Sequence, residues 1–327
     1  MKRALLMLLS FVLLSCGAMA QASDWQPYPP ELPRFDISDE QLRAEWQSMT
    51  DGLRGPLPTA DSVREDAQRW PKAREYTEKL LQEKAKTDER FAQYSGPLES
   101  HYGEYAAHLR EAWRLLFEGR FREARDLGLA LGPAGYFPGL YAQALYATQI
   151  ETDEERREAL LEEVITLTEE ILPLAPDHPM IRFGNAYGKA RVIEDMSATG
   201  AMGTGYTSEV MDQLEELVEE DPDNIYAITL LGGVHSGIVE KAGGFLARMT
   251  FGASKGRMEE YFERALALND RYAGLYYEYA RALIKVDGRN GEKQARKLLE
   301  KGAALTPRHA EEALQVQACQ QLLASLD

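Results

Sequence analysis

Four times in this chain a ladder of apolar and small residues recurs at helical spacing and ends on a helix-stopping residue. The sets are Val164, Thr168, Ile171 and Pro176; Val210, Leu214, Leu217 and Pro222; Met258, Phe262, Ala265 and Asp270; Ala295, Leu299, Gly302 and Pro307. Such a recurrence constrains the fold strongly, because one helix pair buries only one apolar face and needs a neighbour to cover the other. The small residue lets two helices approach, the large one fills the gap, and proline ends the helix without requiring a donor. Beyond the first few dozen residues the pattern is helical, with no sustained period-two alternation and no Asn-Gly turn between strand-like runs. The expected class is all-α.

The join Phe117-Glu118-Gly119-Arg120-Phe121-Arg122-Glu123-Ala124 resembles the inter-helix turn of a tetratricopeptide (TPR) repeat, and Phe183, Gly184 and Tyr187 take that repeat's next helix-A positions. The resemblance implies an α-solenoid of antiparallel helix pairs with a concave face lined by the first helix of each pair. Four segments are expected: a leader over residues 1–20, an extended Pro-rich stretch over 21–37, N-terminal helices over 38–100, and the repeat domain over 101–327, closed by a C-terminal capping helix. Ser38 with Gln41 and Thr59-Ala60-Asp61 read as helix starts, and Pro71 should restart the second helix.

Spacing between the ladder ends carries the functional clue. Pro176 and Pro222 lie 46 residues apart, Pro222 and Asp270 48, and Asp270 and Pro307 37, against a TPR period of about 34. Two units therefore hold insertions, around Asp195 to Tyr206 and around Lys241 to Gly256. Equivalent points of stacked units share one side, so these insertions should meet beside one edge of the concave face. The first is uncharged and rich in glycine, with Met196, Met202 and Tyr206. The second carries Phe245, Leu246, Met249 and Phe251, largely on one helical stripe, a composition suited to an apolar recess or to covering the solenoid's own core.

Lys2 and Arg3 precede an apolar run from Ala4 to Leu14, a length that suits a signal peptide and is too short to span a bilayer. Ala18-Met19-Ala20 would release a chain starting at Gln21, whereas Leu13-Leu14-Ser15-Cys16 would place a lipid on Cys16. Both predict export to the periplasm, and the stretch Gln26 to Pro33 is then either a stiff spacer or an ordered tail. Net charge is −16, with 44% hydrophobic and 28% charged residues. These values disfavour a disordered chain, a polytopic membrane protein and a nucleic-acid binder. With only Cys16 and Cys319, no internal disulfide is expected.

Gly232-Gly233-Val234-His235, Gly252-Ala253-Ser254 and Phe262 to Asn269 add a second likeness. Over roughly residues 105 to 325 the chain resembles the helical T component of TRAP-type transporters, the TatT family. That resemblance implies an exported, often lipid-anchored protein that docks a periplasmic substrate-binding protein and has an apolar ligand cleft. A general scaffold for cell-envelope assembly is the alternative.

Enzymatic readings are weaker. Gly252-Ala253-Ser254-Lys255-Gly256 fits G-x-S-x-G, but a nucleophile elbow needs a strand before it, and His309 is the one histidine downstream; Ser254 otherwise caps a helix. Gly200, Gly203 and Gly205 lack the strand and the Lys-Ser or Lys-Thr pair of a phosphate loop. The five histidines show no zinc spacing, and His235 occupies an aromatic slot. No cofactor or metal is expected. Carboxylates at Glu215, Glu216, Glu219, Glu220 and Asp221 lie on a helix C-terminal half, where a basic partner would relieve them. Helix-A register places Asn185, Lys189, Tyr226, Thr229, Ser236, Tyr272 and Tyr279 on the inner surface, joined by Tyr206, Phe245, Met249 and Phe251 from the insertions. Apolar bodies with polar tips suit the binding of a protein partner or a hydrophobic small molecule.

Overall fold

The computed structural model describes residues 25–326, so the leader, Cys16 and the cleavage site lie outside the described residues. Every described element is a helix or a 3-10 turn, and no described helix is long and apolar enough to cross a membrane. Local starts follow the sequence. Ser38 accepts from the Gln41 N–H to open α1 (Asp39–Thr50). Thr59 and Ser62 form a reciprocal capping box at α2 (Ala60–Arg69), and Pro71 begins α3 (Pro71–Ala85).

From there helices fold back on one another in pairs: α4 (Tyr102–Phe117) with α5 (Phe121–Ala130), and α6 (Pro133–Gln149) with α7 (Glu154–Ile171). In the next two pairs an extra short helix intervenes. Between α8 (Pro179–Asp195) and α10 (Tyr206–Glu220) lies α9 (Ala198–Thr204); between α11 (Ile225–Ala242) and α13 (Lys255–Leu268) lies α12 (Gly244–Phe251). The last pair is α14 (Ala273–Asp287) with α15 (Arg289–Ala303), followed by α16 (Ala310–Ser325). The ladder residues of α7, α10, α13 and α15 are all buried. Phe262 shows why the small partners matter, since a Cβ on Gly232 would come within 2.9 Å of its ring.

One feature differs from an open concave array ended by a cap. Helices α6, α8, α11 and α14 touch in series, α14 touches α16, and α16 returns to α6 and α4. The circuit is closed. Apolar burial drives the closure, because Ala310, Ala313 and Leu314 of α16 share one core with Leu42, Trp46 and Phe117, and burial of such surface contributes roughly 25 cal/mol per Å². Polar contacts fix its register: Arg308 pairs with Asp51 at 2.9 Å, and His309 Nε2 contacts the Met49 carbonyl at 3.1 Å. The Pro-rich stretch is an ordered strap where described. Trp25 stacks on Tyr146 with ring centroids 4.1 Å apart, and Tyr28 and Ile37 are buried.

Candidate functional site

Three of the inner helices run side by side in the same direction. Their N-terminal ends meet through rings, Phe183 against Tyr226 at 6.1 Å and Tyr226 against Tyr272 at 5.4 Å. Their C-terminal ends meet through charges, with Lys285 Nζ 2.6 Å from Glu194 Oε1 and Lys241 Nζ 3.0 Å from the Glu194 carbonyl. Between these ends lies a cavity of about 160 Å³, enclosed by α6, α8, α11 and α14, with Gln315 of α16 and residues of α9 and α12 completing the wall. From Tyr272 to Lys285 is about 20 Å of helix at 1.5 Å per residue. Leu145, Ile193, Leu230, Val234 and Ile238 make its sides apolar.

The two ends differ chemically. At the aromatic end, Arg54 donates to both oxygens of Glu311, at 2.9 and 2.8 Å, with side chains only 3% and 1% exposed. Its guanidinium lies 4.2 Å from the Tyr141 ring centre and 4.7 Å from that of Tyr226. Burial raises the phenol pKa values of Tyr141, Tyr226 and Tyr272 above their usual value, so these rings stay neutral donors. At the other end, Arg191 and Arg281 hold Glu278 at 2.5 and 3.2 Å, while Arg281 and Lys285 hold Glu194 at 2.5 and 2.6 Å. Burial disfavours charge on both carboxylates, yet the cations around them win and keep both below the ordinary range. Cations here also face the negative ends of three helix dipoles.

Tyr226, Thr229, Ser236, Tyr272 and Phe251 line this cavity. Thr229 is 6% exposed and its hydroxyl finds no hydrogen-bond partner among the described residues. Gly233 and Gly237, one turn apart on α11, line the same wall, and a Cβ on either would meet nothing within 4 Å. Residues of both insertions border this one recess, Ala201 and Met202 of α9 and Phe251 of α12.

Other expected site residues lie elsewhere. Asn185 donates to Thr168 Oγ1 at 3.0 Å, tying α8 to α7. Lys189 pairs with Glu169 at 2.9 Å and Glu209 at 2.7 Å, with its ammonium 5.1 Å from the Tyr206 ring centre. Tyr279 stacks on Phe262 at 4.7 Å inside the α13–α15 core. The reason is helical phase: on α8 the inward stripe is Phe183, Tyr187, Ala190, Arg191 and Glu194, and positions 185 and 189 fall about 200° from 183 and 187. Phe245 and Met249 face outward, 77% and 71% exposed.

Among residues weighed for catalysis, Ser254 accepts from the Arg257 N–H at 3.3 Å as the cap of α13. His235 is fully buried against the Tyr261 ring, and burial pushes its pKa down to about 4. Arg182 engages Glu216 and Glu220, both at 2.7 Å, so part of the acidic helix end is answered from within. Sequence reasoning missed Arg191, Glu194, Glu278, Arg281 and Lys285. Their signal was the three-to-four spacing of Glu278, Arg281 and Lys285 on an inner helix; nothing in sequence linked Arg54 to Glu311. No protein-family model matches the chain, and no curated protein matches it significantly.

Proposed function

We propose that the chain is an exported, TPR-like helical-repeat protein that binds a small amphiphilic molecule in its central cavity. One observation carries the reading: an apolar recess runs between two polar ends and is bordered by an unpartnered buried hydroxyl at Thr229 and two glycines that leave its wall open. Buried polar atoms are rarely left without a partner, and ligand sites combine apolar walls with a few placed polar groups. A cavity near 150 Å³ with apolar walls accommodates a benzene-sized molecule, so a ring or short chain fits, with its polar group at one end.

The family resemblance adds a partner to this reading. The bound molecule would pass to or from the substrate-binding component of a TRAP-type transporter, and the leader would place the exchange in the periplasm. The wall suits binding, because its sides are apolar and its charged groups, Arg191, Glu194, Lys241, Glu278, Arg281 and Lys285, are held by ion pairs and hydrogen bonds among themselves. Native mass spectrometry of the purified chain should show a retained small molecule, and benzene should bind saturably at one site per chain in a calorimetric titration. A bare mass together with non-saturable probe uptake would refute the cavity as a ligand site and favour an envelope scaffold.

A further inference from the structure

The inserted helix α12 is apolar on two faces, and only one is used by the fold. Ala247 is buried and Phe251 lines the cavity, while Phe245, Leu246 and Met249 project on the opposite side, 77%, 57% and 71% exposed. At 100° per residue the outward three span about 100° of arc, and Ala247 with Phe251 lie beyond it. Met202 of α9, 64% exposed, also borders the cavity, so the recess reaches the surface beside the two inserted helices. Leu268 is the one other large apolar side chain in the same class of exposure among the described residues.

The inserted segments differ in charge from the chain as a whole. The protein carries −16 overall, yet residues 241–258 contain Lys241, Arg248, Lys255 and Arg257 and no acidic residue, and residues 196–208 carry no charge at all. Lys255 is answered by Asp287 at 2.5 Å and Arg257 faces Glu215 at 3.8 Å. Arg248 is exposed on α12 and makes no ion pair among the described residues. What a close surface meets is aromatic and aliphatic side chains with a free guanidinium among them.

We propose that the tip formed by α12, with α9 beside it, docks on an anionic lipid surface. Phe245, Leu246 and Met249 enter the headgroup–acyl boundary and Arg248 pairs with lipid phosphates. Exposed aromatic and aliphatic residues flanked by cations are the chemistry of interfacial attachment. A protein partner would equally welcome the apolar stripe, but an unpaired arginine in a stretch without acids favours a dense array of phosphates.

The test uses the full chain, so that any contribution of the leader is common to all variants. Phe245→Trp places a reporter on α12, and bromine-labelled vesicles of phosphatidylcholine, alone or in equal parts with phosphatidylglycerol, serve as quenchers. The expected result is quenching beyond the wild-type tryptophan background on anionic vesicles. Phe245→Asp with Met249→Asp should weaken vesicle partition by at least about tenfold, and Arg248→Glu by about tenfold on anionic vesicles only, with helicity and melting unchanged. No added quenching of the α12 reporter overturns the proposal, as does wild-type partition by the double aspartate variant. A dimer in sedimentation that this variant dissolves, without vesicle quenching, overturns it in favour of a second copy; a captured protein without quenching does so in favour of a protein partner. The cavity probe reads the ligand reading separately, so either can fail alone.

Discussion

Gly233 and Gly237 offer a perturbation whose stability and binding effects have opposite signs. Both sit inside α11, both line the cavity, and outside the local backbone of α11 nothing lies within 4 Å of where either Cβ would stand. A glycine inside a helix costs about 1 kcal/mol relative to a good helix former. Leucine at either position therefore recovers roughly that amount, and burying its side chain in the recess adds about 1.5–3 kcal/mol. Four added carbons, each taking on the order of the 30 Å³ that a water occupies in the liquid, fill about 100 Å³ of a cavity of about 160 Å³. Gly233→Leu should thus raise the melting temperature by several degrees, at up to about 2 °C per kcal/mol for a chain of this size, and abolish saturable binding of benzene. Thermal denaturation by circular dichroism and a calorimetric titration on the same sample read both. A destabilised variant, or one that keeps full probe binding, refutes the geometry of the recess; ordinary ligand-contact substitutions lose affinity without gaining stability.

Closure of the helix circuit is tested by Arg54→Leu, which strands Glu311 in a site 1% exposed and should cost about 3–5 kcal/mol. Arg54→Leu with Glu311→Leu should cost less than the single change in urea denaturation, and additive losses would show that the pair is not buried together. His235 titrates near pH 4 in the fold against 6.5 as its ordinary value, so the unfolded chain binds the extra proton first. Stability is unaffected above about pH 6.5 and falls as pH drops towards 4, by on the order of 2–3 kcal/mol. His235→Phe should flatten that part of the acid-denaturation curve, and an unchanged slope would refute the assignment. Gly128→Ala puts a Cβ 2.4 Å from the Gly135 carbonyl oxygen and 2.6 Å from Gly139 Cα, forcing α5 off α6, so its melting temperature should fall; Gly184→Ala, 3.7 Å from a methyl, should hold or gain up to about 1 kcal/mol.

Much of this architecture is legible because its causes are local. The ladder on α7, α10, α13 and α15 is a repeated steric statement, a small residue opposite a large one, and each member is buried as that statement requires. Caps at Ser38, Thr59 and Ser254 act over three residues and read equally well. What sequence reasoning could not supply was phase on the inner helices. An error of two positions turns a side chain by about 200°, enough to move Asn185 and Lys189 from the recess to the α7 and α10 contacts. Nor was closure readable, since Arg54 and Glu311 are 257 residues apart and neither neighbourhood announces the other.

These two failures share one consequence for function. An open concave face presents tyrosines to a broad protein surface, and the register guess chose residues on that basis. Once α16 returns to α6, the same face becomes interior and its tyrosines are desolvated with an arginine among them. Interior polar groups must find partners or cost free energy, so the charged groups on the wall are drawn into ion pairs or hydrogen bonds, and what stays unanswered among the described wall residues is the Arg191 Nε and the Thr229 hydroxyl, the latter beside the open wall at Gly233 and Gly237. In the proposed reading, closure moves recognition from the face to two places. Small molecules are left the recess, and macromolecular surfaces are left the outward stripe of α12, whose inward face completes the recess wall.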